Sequence, residues 1–583
     1  MNNLLIFIFA QKSFGFLQKP CDILFELFKE SMKRKTTDVF LIALGATLLF
    51  VPFLGGVHLF DWDEINFAES AREMLQTHDF LTVQINYKPF WEKPPLFIWM
   101  QVLSMKAFGV NEFAARFPNA VAGVVTLLVL YLTGDRLFGR RFGLLWVLVY
   151  AGSILPQFYF HSGIIDPWFN LFIFLGIYFM VLYLEGNNRK ETRNIFLSAA
   201  FIGLAIMTKG PVGLLILLLT LTVWLILNGS WKKIFNIRFL LIYGITLSLV
   251  GGFWFILQIA DGHAYLIMDF INYQIRLFSH KDSGHGGFLL YHFVVLYIGV
   301  FPASVFMLPA LRKFRDKTGS QKNFRSWMMI SFWVVLILFT IVKTKIVHYS
   351  TFCYFPITFF ATYYIIRMIK GDMKFPYWLK VVLTVTAALE GLLYVGLQLF
   401  IHYKDQIIAR GWIPDPFAVG NLQANVYWSG YEFLIGVFLF AGIFGSLLFF
   451  RKNIQRMIIG VFLTSLISTS LAVFIITPKV EAYSQKAAID FYIRNAGDDV
   501  YMDVDGFKSY AQYFYFRKKP AKAQRWITKR MRLVGDVSKP VYVVVKITKK
   551  ESFLKRYPAF HLLYEKNGFV FFEKNPRIKT KQD

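Results

Sequence analysis

The chain has 583 residues, of which 56% are hydrophobic, 19% aromatic and only 17% charged. With a mean hydropathy of +0.48, this composition excludes a disordered chain, a collagen-like fibre and a conventional soluble enzyme. The formal net charge of +27 would indicate nucleic acid in a soluble protein, but in so apolar a chain it points to basic cytoplasmic loops that orient membrane spans, and no nucleic-acid partner is expected. Cys21 and Cys353 lie far apart, which excludes a disulfide framework and a CxxC metal motif.

Residues 1–37 open with an apolar patch, Leu4 to Ala10, followed by Lys12, Lys19, Lys33, Arg34 and Lys35. The patch is shorter than the roughly 20 apolar residues of a spanning helix, and no small-residue cleavage site follows it cleanly as in a signal peptide, so this segment reads as a cytoplasmic or interfacial amphipathic leader, or as an over-long gene start. From there to residue 478 about thirteen apolar stretches are long enough to be spans. They are 39–58, 113–133, 141–160, 167–185, 195–207, 211–228, 238–259, 288–309, 327–342, 349–367, 378–401, 431–450 and 455–476, with 195–207 and 327–342 the shortest. Every second connection is basic, from Arg136, Arg140 and Arg141, through Arg189, Lys190 and Arg193, to Arg451, Lys452 and Arg456. This alternation places the N-terminus in the cytoplasm and, with an odd number of spans, the C-terminus outside.

Three long pieces then lie outside: the loop 59–112, the loop 260–287 and the tail 479–583, with 402–430 a lesser fourth. The tail changes composition. A helical stretch, Tyr483 to Asn495, precedes β-type runs at Asp499 to Val504, Val541 to Val545 and Gly568 to Phe572, which predicts a small α/β domain. Its excess of Lys and Arg suits an anionic lipid or glycolipid surface, or simply a solvated basic face.

Chemistry-bearing residues cluster on the outer side. Asp61, Asp63 and Glu64 stand where the first span ends, and Ile65, Ala68, Arg72 and Leu75 repeat with helical spacing. A carboxylate at such a helix start is a candidate general base or cation ligand; the plainer reading is that these acids cap the helix. Glu92 and Lys93, held between Pro89 and Pro94 beside Trp91, suit a phosphate-plus-sugar site or an ordinary solvated pair. Asp166, Lys209, Lys343, Lys345, His348 and Tyr349 sit at outer span ends, where ionisable groups are usually functional, although a lysine there can also snorkel. The loop from Arg276 to His292 adds His280, Lys281, Asp282 and His285. This convergence of cations suits a lipid-linked phosphate. Glu92 and His285 could share a divalent ion. No Walker, GxGxxG or HExxH motif is present.

These residues resemble a known family. Asp63-Glu64, Ala68-Glu69 and Arg72-Glu73-Met74 are similar to the first-loop signature of the membrane glycosyltransferases related to aminoarabinose lipid A transferase, with the protein O-mannosyltransferases as distant relatives. Trp91-Glu-Lys-Pro-Pro95, Asn111 to Pro118, Leu137 to Arg141, Asp166-Pro167 and Thr208 to Gly213 follow in the family's order. The resemblance is dense over 60–215 and thins through Gly284 to Gly287 and Lys343 to Pro356. It implies a polytopic α-helical GT-C-type glycosyltransferase with a C-terminal periplasmic α/β domain, moving a sugar from a polyprenyl-phosphate carrier at the bacterial inner membrane. By matching position it implies that Asp63 is the principal catalytic acid, that Glu92 and Lys93 line the carrier-phosphate site, and that Asp166, His285 and Tyr349 complete the cavity. The residues themselves add Glu64 and Asp166 as catalytic candidates, Lys209, Arg276, Lys343, Lys345 and Tyr349 as donor-phosphate candidates, and Glu92 with His285 as a candidate metal pair. The family often has Asp-Glu-Ala-Arg-Tyr where this chain has Asp63-Glu-Ile-Asn-Phe67. Two polar contacts are thus missing, which points to a different sugar or acceptor. The rival readings are a protein O-glycosyltransferase of the same fold, a lipid or solute transporter, and a non-catalytic scaffold; no repeated halves favour transport.

Overall fold

In the computed structural model, the described residues are 34–186, 190–279, 287–311, 319–520 and 528–576. All thirteen apolar stretches fall on helices. Among the described residues six helices are long and apolar enough to cross a membrane singly, and nine if each bent pair counts once. The two stretches that looked short are extended by polar ends: 195–207 lies in Glu191–Lys209 and 327–342 in Gly319–Ile341. Tyr377–Ala409 has 33 residues, or about 50 Å of helix, so it outruns a hydrocarbon core of about 30 Å.

Three expected spans are broken rather than straight. Arg140–Ala151 meets Ile154–His161 at 81°, Ile237–Gly251 meets Phe253–Ala260 at 59°, and Tyr291–Gly299 meets Ala303–Leu311 at 109°. Each break carries the residues that cannot sustain the helical ladder: Gly152, the pair Gly251-Gly252, and Pro302.

The segment 59–112 is more structured than a loop. Asp63–Thr77 is helical, Gln84–Ile85 and Lys88–Pro89 form a hairpin, and Leu96–Phe108 is a second helix. The expected interfacial helix is instead buried continuously from Glu64 to Met74. Ile65, Phe67, Ala68, Ala71 and Met74 share one apolar core with Phe97 and with Ile489, Tyr492, Phe514 and Phe571 of the C-terminal region. The first outer segment and the tail therefore fold around each other, because neither alone covers its apolar face.

The tail carries a four-stranded sheet in the order Tyr501–Asp505, Val541–Lys546, Phe569–Lys574, His561–Lys566. The first pair is parallel and the others antiparallel. The strand His561–Lys566 escaped the sequence reading because its side chains are mostly exposed and it lacks an apolar alternation. It is joined to Phe569–Lys574 by Asn567-Gly568, both at positive φ, the preferred composition of a tight hairpin turn. Gly568 also packs against Gly420, whose Cβ position would lie 2.5 Å from its Cα; only glycines allow this approach to the helix Pro416–Leu422.

Candidate active site

The two acids at the start of Asp63–Thr77 have opposite surroundings. One turn of helix separates side-chain directions by 100° per residue, and here this sends Asp63 into an open cavity and Glu64 into the protein. Glu64 accepts from Arg116 Nε at 3.0 Å and Nη2 at 2.9 Å, from the Phe60 amide at 2.8 Å and from the Gly163 amide at 2.5 Å. Arg116 also donates to the carbonyls of Leu54, Val57 and His58. Burial by itself would raise the Glu64 carboxyl, but the Arg116 guanidinium and the two amides outweigh it and hold it below the usual carboxylate range. This corrects the catalytic role expected of Glu64. Its four acceptor positions are used to join the turn 60–64, the helix Glu112–Phe138 and the loop ahead of Asp166.

Asp63 is about a third exposed, at 36%, and its oxygen lies 3.5 Å from His348 Nε2. It lines a cavity of about 670 Å³ together with Trp62, Glu92, Lys93, Asp166 and Lys209. Tyr273, Gln274, Thr344, His348, Tyr349 and Lys508 add to its polar wall, and Phe169, Val212 and Phe339 supply apolar surface. Glu92 and Lys93 sit on the rigid strap between the hairpin and Leu96–Phe108. Tyr273 donates to Glu92 Oε2 at 3.1 Å, and the Lys93 ammonium lies 5.3 Å from the Tyr273 ring centroid. Burial pushes the Lys93 ammonium below the usual lysine range, against the opposing pull of Glu92 and Asp63.

Asp166 begins the helix Asp166–Glu185 and Lys209 ends Glu191–Lys209, so each charge complements its helix dipole. They pair at 2.6 Å. The Lys209 ammonium lies 5.5 Å from both the Phe169 and Tyr349 ring centroids. A carboxylate beside three lysines in a partly apolar cavity can orient a hydroxyl or take its proton, and can stabilise a departing phosphate.

The cavity brings together Asp63, Glu92, Lys93, Asp166, Lys209 and Tyr349 from the expected set. Others lie elsewhere. Lys345 is buried, and its ammonium donates to the carbonyls of Phe339 and Thr340 at 3.0 and 2.6 Å. It caps the end of Gly319–Ile341, where helix carbonyls lack partners, and this corrects its assignment to the donor phosphate. Lys343 is exposed and off the cavity wall, and so is Arg276, whose guanidinium lies 5.2 Å from the Tyr273 ring centroid. Both depart from the donor-phosphate role expected of them. Arg276 and Tyr273 belong to a helix, Ala264–Ser279, within the segment expected to be loop. His285, like His280, Lys281, Asp282, Cys21 and most of the leader, lies outside the described residues. Among the described residues no three His, Cys, Asp or Glu side chains are grouped to hold a metal.

Trp62, Tyr273 and Lys508 are cavity residues that the sequence reading did not select. Lys508 comes from the C-terminal domain, with its ammonium 4.3 Å from the Trp62 ring centroid. Beside it Ser509 donates to Asp61 Oδ2, so the domain closes on the turn that carries Asp63. Asp61 Oδ1 is buried with no hydrogen-bond partner among the described residues. Burial pushes the Asp61 carboxyl from 3.8 up to about 6, partly offset by Ser509 and the Tyr510 amide. A folded value above the unfolded one means that the protonated carboxyl is favoured by folding. Its contribution is therefore present below about pH 3.8 and is lost as pH rises to about 6. In pH-resolved thermal unfolding, the wild type should lose stability relative to Asp61→Asn across that interval, and the two curves should run parallel above it.

Comparison with known proteins converges on this architecture. The family model described as dolichyl-phosphate-mannose-protein mannosyltransferase matches residues 92–254, the stretch carrying Glu92, Lys93, Asp166 and Lys209. The crystal structure of ArnT from Cupriavidus metallidurans bound to undecaprenyl phosphate superposes with a TM-score of 0.73, over 93% of this chain and 100% of that one, at 17% identity. The chain has the same fold. An undecaprenyl phosphate-alpha-4-amino-4-deoxy-L-arabinose arabinosyl transferase of Edwardsiella ictaluri is 27% identical over 347 residues, 58% of this chain and 62% of the relative. One from Yersinia enterocolitica is 26% identical over 341 residues, 57% of this chain and 59% of the relative. The chain is similar to these lipid-linked sugar transferases. The matched stretches span less than two thirds of both relatives. The resemblance read from the short motifs and the GT-C-type helical fold expected from it are both borne out.

Proposed function

We propose that the protein transfers a sugar from a polyprenyl-phosphate carrier to a lipid A-like or other envelope glycan, with inversion at the anomeric carbon. The observation that carries this reading is the 670 Å³ cavity, in which a half-open carboxylate, Asp63, faces a group of lysines against an apolar wall. A sugar-1-phosphate needs little more: Asp63 orients or deprotonates the acceptor, and Lys93, Lys209 and Lys508 stabilise the phosphate as it leaves. Asp166 holds Lys209 in place, and Tyr273 and Tyr349 bound the donor site. Glu92 is available to a divalent cation should a second ligand reach it, with His285 the partner proposed from the sequence. The protein sits in the bacterial inner membrane, with its N-terminus cytoplasmic and its catalytic end periplasmic. Residues 1–37 form a leader, 38–478 the transferase domain and 479–583 the periplasmic domain.

Mass spectrometry of envelope glycolipids from wild-type, deletion and Asp63→Asn cells tests the proposal. One sugar mass should vanish from the same glycolipid in both mutants; identical spectra in all three strains would overturn the glycolipid acceptor. The match to a protein mannosyltransferase family supports a protein hydroxyl as the second reading, which predicts the loss from glycoproteins instead. With donor and acceptor purified, Lys508→Gln should raise the donor KM by about tenfold, the worth of one charge-assisted phosphate contact. Its melting temperature should be unchanged, since Lys508 is exposed.

A further inference from the structure

The hairpin ahead of the strap 89–95 turns on Asn86-Tyr87, both at positive φ, +59° and +56°. Such a two-residue loop favours glycine in its second place, as the chain itself has at Asn567-Gly568. A tyrosine held there is strained. Arg517, at φ +53°, stands beside Lys518, which contacts the same turn. Three of the six non-glycine residues with positive φ among the described residues thus belong to this one contact.

The strained turn is held by buried charged groups that the proposed chemistry does not use. Glu73 is fully buried. Its two carboxyl oxygens accept from the Asn86 amide at 2.6 Å and the Tyr87 amide at 2.7 Å. Arg72, also buried, donates to both oxygens of Glu69 at 2.7 Å and reaches the Tyr87 hydroxyl at 3.4 Å. From the C-terminal domain, the Lys518 ammonium donates to Asn86 Oδ1, and the Tyr87 hydroxyl donates to the Lys518 carbonyl. The Lys518 ammonium also lies 4.9 Å from the Tyr513 ring centroid. Glycine at position 87 would relax the backbone, but only a side chain such as tyrosine supplies the hydroxyl that the domain engages.

Glu73, Tyr87 and Lys518 all lie off the donor cavity wall. A short, stiff piece of chain connects them to it. The Phe90 amide donates to the Val83 carbonyl at 2.8 Å, which extends the hairpin ladder into the strap. Pro89, Pro94 and Pro95 restrict the backbone on either side of Glu92 and Lys93. A shift of the turn is therefore carried to Glu92 and Lys93 and not absorbed on the way.

We infer that Glu73, Tyr87 and Lys518 form a clasp by which the C-terminal domain sets the strap, making Tyr87 and Lys518 positioning residues for Glu92 and Lys93 at the donor phosphate. The inference rests on the transferase reading for the identity of the donor and adds to it how the site is held. The domain then acts on the donor twice, directly through Lys508 and through the hairpin by Lys518. Such coupling is reciprocal: a clasp that favours binding is tightened by the bound lipid by the same factor.

The test uses the full chain in nanodiscs with undecaprenyl phosphate as the probe. Tyr87→Phe keeps the ring and every charge and loses only the hydroxyl. It should raise the Kd for undecaprenyl phosphate about tenfold, as when about a tenth of the molecules hold the strap ready, with kcat at saturating sugar donor unchanged. Lys518→Met should do the same, and Lys518→Arg, which keeps an N–H for Asn86, should retain wild-type affinity. Amide hydrogen exchange over 84–93 should quicken in Tyr87→Phe and Lys518→Met and slow again when the lipid binds. A clasp that is merely structural would lower the melting temperature and leave the affinity of the folded protein unchanged. That result would overturn the inference, as would a fall in kcat at unchanged Kd. The wild type gives a reading without any variant: saturating undecaprenyl phosphate should slow exchange of the Asn86 and Tyr87 amides about tenfold, and unchanged exchange would overturn the inference. Failure of the transferase reading is distinguishable, because the wild type would then neither bind the lipid nor transfer sugar. Exchange over 84–93 still tests the clasp in that case, and rates in Tyr87→Phe equal to wild type would overturn it.

Discussion

Asp63→Asn should reduce sugar transfer by about 10²- to 10⁴-fold, the range for a lost general base or acid, with no loss of folded protein. The structural side of this expectation follows from the surroundings of the carboxylate. It is 36% exposed, and the partly buried His348 imidazole, 3.5 Å away, pairs with it only when protonated. An amide of the same shape fits the same space, and a part-exposed contact of this kind contributes about 0–1 kcal/mol. The chemical side follows from the cavity, which Asp63 lines together with Lys93, Lys209 and Lys508, and in which the proposed sugar phosphate would sit. The decisive measurement is kcat and KM on purified protein alongside its melting curve. A variant that melts normally and still turns over at the wild-type rate would remove Asp63 from the reaction.

Glu64→Gln, one residue away, should do the reverse. It leaves the buried Arg116 guanidinium without its counter-charge and costs about 3–5 kcal/mol, the usual consequence of breaking a buried pair from one side. The loss should spread, because Arg116 also holds the carbonyls of Leu54, Val57 and His58 and Glu64 holds the Gly163 amide. Those contacts set the turn before Asp63 and the loop before Asp166. Thermal unfolding in detergent should show a large drop, and activity per folded molecule should fall less than the yield of folded molecules. If the variant melts like the wild type, the structural role of the pair is wrong. Assaying the two variants side by side separates chemistry from scaffolding at adjacent positions of identical charge.

Their contrast also marks where sequence reading stops. Asp63 and Glu64 have the same chemistry, the same place in a motif and the same helix turn. What distinguishes them is Arg116, more than fifty residues away in sequence and brought close by the packing of Glu112–Phe138. Lys345 failed in the same way. As a cation near a span end it resembled Lys209, yet its ammonium satisfies two carbonyls at the end of its own preceding helix. Tyr273 and Lys508 were not singled out because nothing in their neighbourhoods differs from other aromatic or basic stretches of the chain.

Much of the architecture was nevertheless legible, and for local reasons. A spanning helix announces itself as a run of apolar residues, because backbone and side chains must all be satisfied within hydrocarbon. The buried strands Val541–Lys546 and Phe569–Lys574 announce themselves by continuous β-branched and aromatic residues, and Asp63–Thr77 by its helical period. The bends in three helices needed only Gly and Pro at their breaks, although their angles did not follow from those residues. The site belongs to the other category. It is made where the strap 89–95, the ends of three helices and the loop before Ala511–Phe514 of the C-terminal domain meet, at sequence separations of hundreds of residues. Local propensity carries no information about such meetings. They arise when the helix Asp63–Thr77 and the sheet bury their apolar faces in one core, which turns Asp63 outward to the cavity and draws Lys508 in beside it.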